Sequence, residues 1–239
     1  MTTAAETLNS WSFSKLGDFE KCKYRTYLLH VARVPEPTRP LPPGKTEHAN
    51  DRGTRIHTDC ELFITGQKAA LGHEAGKHFS QPLHWLRAHY ATGQVSVEGE
   101  WGMDPDWQPT EWRDAWLRLK LDAMAFRNPQ EAAVIDFKTG KKFGNEIKHA
   151  QQLQLYQLVA FLRHPELEVV TAELWYLDTG DVTSRTYTRQ QGLRFLDNFQ
   201  RQADAIMSCN TWPANPSLFT CKWCQYGPWG SGDCKVGVR

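Results

Sequence analysis

No stretch of the chain approaches the roughly 20 consecutive apolar residues that a membrane-spanning helix needs. The first residues, MTTAAETLNSWSFSKLGDFEK, also lack the apolar segment of a secretion signal. Both absences point to a cytoplasmic protein with no membrane partner. Charge of one sign is missing too: 28 Lys and Arg stand against 27 Asp and Glu, for a net charge of +1. A balanced total neither demands nor forbids a polyanionic partner, because such binding needs a local basic surface. Internal repeats and low-complexity tracts are absent, which excludes an architecture of stacked repeats. With no export signal, the six cysteines read as thiols or metal ligands and not as a disulfide framework.

What is present is enough for a substantial core: 40% hydrophobic residues, with 10 Trp, 11 Phe and 7 Tyr among the aromatics. One enzyme-sized domain over residues 1–239 is expected, divided into an N-terminal helix and connector (1–50), a core (51–209) and a Cys-rich end (210–239). Ser12 or Ser14 can cap a helix running to about His30 with Cys22 in its middle. The five prolines of VPEPTRPLPPG then force an extended connector. Apolar spacing predicts helices over Asp51–Thr65, over 76–91 and through IKHAQQLQLYQLVAFL. Residues four apart on a helix share a face, which pairs His57 with Glu61 and Gln152 with Tyr156. VSVEGEWGM reads as a strand, ELWYLDTGDVTSRTYT as a hairpin, and Thr188 as the start of a last helix through Leu193, Leu196, Phe199 and Ile206.

The chemistry centres on VIDFKTG. Strand side chains alternate, so Val134, Asp136 and Lys138 share one face and Ala133, Ile135 and Phe137 the other. Alone, such an Asp and Lys are a surface ion pair worth about 0–1 kcal/mol. LRLKLDAMAF, however, alternates as well, and RNPQE supplies a turn between the two runs. A hairpin symmetric about Pro129 sets Asp122 opposite Asp136. Two opposed carboxylates repel unless a divalent cation lies between them. His57, Asp122, Asp136 and Lys138 together suit a hard divalent metal and phosphate hydrolysis.

In these residues the chain resembles the PD-(D/E)XK nuclease superfamily, in its RecB-like branch, which includes the AddB C-terminal nuclease domain and CRISPR-associated RecB-like exonucleases. The resemblance runs through SWSFSKLGDFEKCKYRTYL, GTRIH (the G-x-x-x-H signature at Gly53 and His57), LKLDAMAF with Asp122, VIDFKTG with Asp136 and Lys138, and QLQLY (Q-x-x-x-Y at Gln152 and Tyr156). It departs at Leu121, where the superfamily's name-giving proline stands, and at Leu119, where a glycine often does. It implies an α/β fold: a restriction-endonuclease-like core with a central mixed β-sheet flanked by helices, its N- and C-terminal segments joined by a four-cysteine cluster site. His57, Asp122, Asp136 and the backbone carbonyl of Phe137 are then the expected Mg²⁺ or Mn²⁺ ligands, Lys138 the catalytic lysine, and Gln152 and Tyr156 its support and DNA contacts.

Cys22 with Cys221, Cys224 and Cys234 resembles the split site that holds a 4Fe-4S cluster in this branch, although the last step, C-x-x-C-x₉-C, is long. Cys209 is the alternative fourth ligand, Cys60 a core residue, and a structural Zn²⁺ the rival occupant. Lys141, Lys142 and Lys148 after the D-x-K strand, and Lys15, Lys21, Lys23 and Arg25 on the first helix, are candidate phosphate contacts; one of the ten tryptophans could stack on unpaired bases. The expected function is a metal-dependent exonuclease on single-stranded DNA or duplex ends in repair or recombination, with helicase or recombination proteins as further partners. The alternative is a non-catalytic DNA-binding accessory of the same fold.

Overall fold

The computed structural model describes residues 7–140, 142 and 144–239, with the side chain of Glu98 left aside. In chain order the elements are α1 (Phe13–Lys21), α2 (Lys23–Thr26), a π-helical turn (Tyr27–Val31), α3 (Ala49–Ile64), α4 (His73–Tyr90), β1 (Val95–Met103), β2 (Pro109–Thr110), a 3₁₀ turn (Trp112–Asp114), β3 (Leu117–Asn128) and β4 (Glu131–Lys138). There follow α5 (Glu146–Arg163), β5 (Val169–Tyr176), β6 (Asp181–Thr188), α6 (Arg189–Leu193), α7 (Leu196–Met207) and α8 (Leu218–Lys222). Contacts group them into two compact units, one of residues up to Pro42 with Asn198–Arg239, the other of Pro43–Asp197. No helix among the described residues is long and apolar enough to cross a membrane.

The Pro43–Asp197 unit is built on one six-stranded sheet in the order β2-β1-β3-β4-β5-β6. Every neighbouring pair is antiparallel except β4 and β5, which run parallel with α5 as the crossover between them, so the sheet is mixed and flanked by helices as expected. Ala123, Ala125, Ala133, Ile135, Phe137 and Trp175 pack with Ile56, Cys60 and Phe63 of α3 and Phe79, Leu83 and Leu86 of α4. The alternate residues of β4 face α5, whose run from Leu155 to Phe161 is buried. Burial on both faces explains why VIDF is continuously apolar but for Asp136.

The hairpin register matches the count made on the sequence: Ala123 pairs with Ile135 and Met124 with Val134. One step further that register would set Asp122 against Asp136, but the β3–β4 ladder closes at Ala123 and Ile135. Beyond that point Phe137 N–H donates to the Asp122 carboxylate, while β4 continues beside β5 through Lys138.

Two helices differ from their expected form. The first does not run unbroken to His30. Ser12 caps α1 by accepting from Lys15 N–H, but Cys22 then takes an extended conformation (φ −162°, ψ 109°) that ends α1 and begins α2. Tertiary partners hold this break: Tyr24 N–H donates to Pro213 C=O, and Asn215 N–H to the Cys22 sulfur at 3.4 Å. The last amphipathic helix is likewise divided into α6 and α7. The Thr188 and Gln191 capping box starts α6, and Phe195 N–H bonds back to Gly192 C=O at the break.

Candidate active site

The site gathers at the end of β4, where the sheet parts from β3. Asp136 and Lys138 project from β4 towards α5, Asp122 comes from β3 and His57 from α3. The Nδ1 of His57 and Oδ1 of Asp122 are 2.7 Å apart, and the second Asp122 oxygen accepts from Phe137 N–H. The Phe137 ring and the His57 imidazole meet in a T-shaped pair, 5.9 Å between centroids, which ties the site to the α3–α4 core. Lys138 Nζ lies 2.5 Å from Asp136 Oδ2 and donates to Gln152 Oε1 at 2.9 Å. Gln152 Nε2 reaches Asp136 Oδ1 at 3.3 Å and the Tyr156 hydroxyl at 2.6 Å. The six side chains singled out from the sequence therefore fall into two linked sets: the His57–Asp122 pair, and the Asp136–Lys138–Gln152–Tyr156 chain.

Electrostatics join the two. Asp136 is only 5% exposed. Burial raises its pKa, the Lys138 ammonium pulls it back, and the Asp122 charge pushes it up again. His57 is raised: burial disfavours its charged form, but the hydrogen bond to Asp122 and the charges of Asp122 and Asp136 outweigh that. Tyr156 is pushed well above the ordinary phenol value, by burial first and then by Asp136, so it stays a neutral hydroxyl.

The local structure also explains the G-x-x-x-H spacing. A Cβ on Gly53 would stand 3.1 Å from Thr139 Oγ1, so glycine lets α3 approach the residue that follows the D-x-K strand. One position earlier, Arg52 clasps Asp178 through two contacts of 2.7 and 3.0 Å and donates to Thr139 C=O at 3.4 Å. These contacts place α3, and with it His57, against the end of β4. Among the described residues the Glu61 carboxylate forms no hydrogen bond or ion pair with any of these six side chains.

A neighbour that the sequence reading passed over is His149, on α5 one turn before Gln152. Its Nδ1 lies 2.8 Å from the Tyr176 hydroxyl, and its pKa falls to about 4 through burial and the charges of Lys138 and Lys148. Spacing held a weak signal, since positions 149, 152 and 156 share a helix face. Of the candidate phosphate contacts, Lys142 sits over the Tyr176 ring at 5.8 Å, and Lys141 lies outside the described residues. Lys15 of α1 bonds Ser10, while on α2 Lys23 covers the Phe19 ring and Arg25 pairs with Asp18 and Gln225.

In the other unit, Cys22, Cys221, Cys224 and Cys234 line one small cavity with Arg25 and Pro216. Cys209 is not among its lining residues; its thiol donates to Thr211 C=O at 3.0 Å. Cys60 is fully buried, and desolvation takes its thiol up to about 12. Burial raises the Cys234 thiol as well, and charge on Cys224, Cys22 and Cys221 adds to that.

Among the described residues no three His, Cys, Asp or Glu side chains form a ready-made coordination shell. The donor chemistry nonetheless fits cations at both places. Asp136 Oδ2 is buried with only the ion contact to Lys138 and no well-formed hydrogen bond. Charge on Cys224, Cys22 and Cys221 adds to the cost of ionising the Cys234 thiol, which a bound cation would relieve.

A family model for the PD-(D/E)XK nuclease superfamily matches residues 10–229. Among solved structures, the chain is similar to a protein provisionally named an exonuclease from Eubacterium rectale, with 13% identity, 98% of this chain and 94% of that one covered, and a TM-score of 0.47. It is also similar to an alkaline exonuclease from Laribacter hongkongensis, with 12% identity, 85% and 89% covered, and a TM-score of 0.34. No curated protein sequence matches it.

Proposed function

Because the chain belongs to the PD-(D/E)XK nuclease superfamily, we propose that it is a divalent-metal-dependent deoxyribonuclease of the RecB-like branch. In this reading it acts as an exonuclease on single strands or duplex ends during cytoplasmic DNA repair or recombination. The observation that carries the reading is the convergence of His57–Asp122 with Asp136–Lys138–Gln152 at one strand end.

Nucleases of this superfamily generally use divalent metals such as Mg²⁺ or Mn²⁺. Asp122, Asp136, His57 and the Phe137 carbonyl would hold the ion, two carboxylates and a carbonyl suiting a hard cation and the imidazole favouring Mn²⁺. When bound, it would supply a more acidic water and offset charge on the phosphate. The protein's part is positioning. Asp136 and Gln152 hold the Lys138 ammonium where it can meet a phosphate oxygen or orient a water. Asp122 orients His57 through Nδ1 and leaves Nε2 as the outward nitrogen. Cleavage of end-labelled DNA tests the reading: Asp136→Ala and Lys138→Ala should each abolish it, and full metal-dependent cleavage by either variant overturns it.

The same reading puts a 4Fe-4S cluster on Cys22, Cys221, Cys224 and Cys234, and the shared cavity that these thiols line is in its favour. Its closest supporting observation is the Asn215 N–H directed at the Cys22 sulfur, the kind of hydrogen bond that stabilises a ligating thiolate. Iron with broad visible absorption is expected from anaerobically purified protein, whereas stoichiometric zinc would replace this assignment with a structural zinc site.

A further inference from the structure

We propose that the exposed groove between Trp223 and Trp229 is a binding site for single-stranded DNA, in which unpaired bases stack on the two indoles and Lys222 and Arg239 meet the phosphates. Leu218, Lys222, Trp223, Trp229 and Arg239 line this groove. Trp223 is 70% exposed and Trp229 67%, beside Leu218 at 67% and Phe219 at 85%. Single exposed apolar side chains are ordinary, but three large ones, Leu218, Trp223 and Trp229, lining one groove make a patch of the kind kept for binding.

The charges select the occupant. Lys222 Nζ lies 5.3 Å from the centre of the Trp223 ring, and the Arg239 guanidinium 5.8 Å from that of Trp229. Each indole thus has a cation over one of its two faces, and no carboxylate side chain lines the groove. Among the described residues neither Lys222 nor Arg239 forms a salt bridge with a side-chain carboxylate. A protein-binding patch is usually depleted in lysine at its centre. Aromatic faces interleaved with cations instead match a strand that alternates bases and phosphates, and every base offers a π-face. A duplex serves less well, because only the outer face of its terminal pair is unstacked.

The site rests on the nuclease reading only in taking DNA as the polyanion. It gives the unit of residues up to Pro42 with Asn198–Arg239 a function of its own, with residues separate from those of the candidate active site.

Fluorescence anisotropy with labelled oligo(dT) and with a blunt duplex, on the full chain without added divalent metal, tests the proposal. Trp223→Ala and Trp229→Ala are each expected to weaken oligo(dT) binding about tenfold, within the range of about 5- to 150-fold for losing one stacked base. Trp223→Phe and Trp229→Phe should recover part of it. Lys222→Gln should reduce the slope of log affinity against log salt by about 0.7. Because these side chains are exposed, the melting temperature should not change.

Unchanged oligo(dT) affinity in the alanine variants overturns the proposal, as does an equal loss of duplex binding. A shift from dimer to monomer on light scattering overturns it too, by making the patch an interface between copies. Failure of the nuclease reading would appear elsewhere, as cleavage that survives Lys138→Ala, and would leave tryptophan-dependent binding intact.

Discussion

Lys138 Nζ donates to Gln152 Oε1 at 2.9 Å, and the other end of the same amide reaches Asp136 at 3.3 Å and Tyr156 at 2.6 Å. A glutamine amide donates and accepts from a single rigid plane without carrying a charge. Here it holds a cation and an anion at a fixed separation, which neither Leu nor Glu at this position could do.

Gln152→Ala should therefore lower metal-dependent cleavage by about 10- to 100-fold, the usual cost of removing a group that orients a site. The loss should fall mainly on kcat, since the lysine and both carboxylates remain. Steady-state kinetics on a labelled oligonucleotide check this, and unchanged kcat would show that the amide orients nothing.

The ion pair of Asp136 and Lys138 predicts a stability cycle. Lys138→Met leaves a buried carboxylate without the ammonium that draws its pKa back down. The expected cost is about 3 kcal/mol in urea unfolding. Adding Asp136→Asn to the same chain should recover most of it, while activity stays lost. A double variant no more stable than Lys138→Met would mean that the pair is not what the lysine contributes.

Replacement of cysteines should separate ligands from packing residues. Cys22→Ser, Cys221→Ser, Cys224→Ser and Cys234→Ser should each reduce bound iron, because all four thiols line one cavity. Cys209→Ser should not, because Cys209 is not a lining residue and its thiol bonds Thr211 C=O. Metal analysis of the five purified variants decides the ligand set.

His149 predicts an acid-side loss of stability. Its pKa falls from an ordinary 6.5 to about 4 in the folded protein, through burial first and then Lys138 and Lys148. The unfolded chain thus binds more protons between those values, and stability rises with pH across the window. The contribution is complete above the ordinary 6.5 and is lost as pH falls towards about 4. His149→Gln removes this dependence, so the stability of wild type relative to the variant should shrink between about pH 7.5 and about pH 5 in urea titrations. A constant difference would show that the imidazole is not held neutral.

Much of the sheet was legible because strand alternation and turn chemistry are properties of near neighbours. The symmetry of LRLKLDAMAF and AAVIDFKTG about Pro129 was enough to count the register, and Ala123 does pair with Ile135. Less legible was where that ladder ends, because the Phe137 amide bonds the Asp122 side chain instead of continuing towards β3. Periodicity likewise carried one helix from Ser12 through Cys22, since the sequence there has no proline or glycine signal at the break. The extended backbone at Cys22 is held by Pro213 and Asn215, about 190 residues away, and no local pattern reports such partners.

Spacings of two to four residues, or one short turn, are enough to read which strands carry Asp122, Asp136 and Lys138, the helix faces and the strand register. It took folding to bring Gln152 between Lys138 and Asp136, to stand His149 beside them, to line the thiol cavity with Cys234 rather than Cys209, and to set which of the ten tryptophans are exposed. Those outcomes depend on burial and on contacts between distant segments, and both arise only when the chain packs.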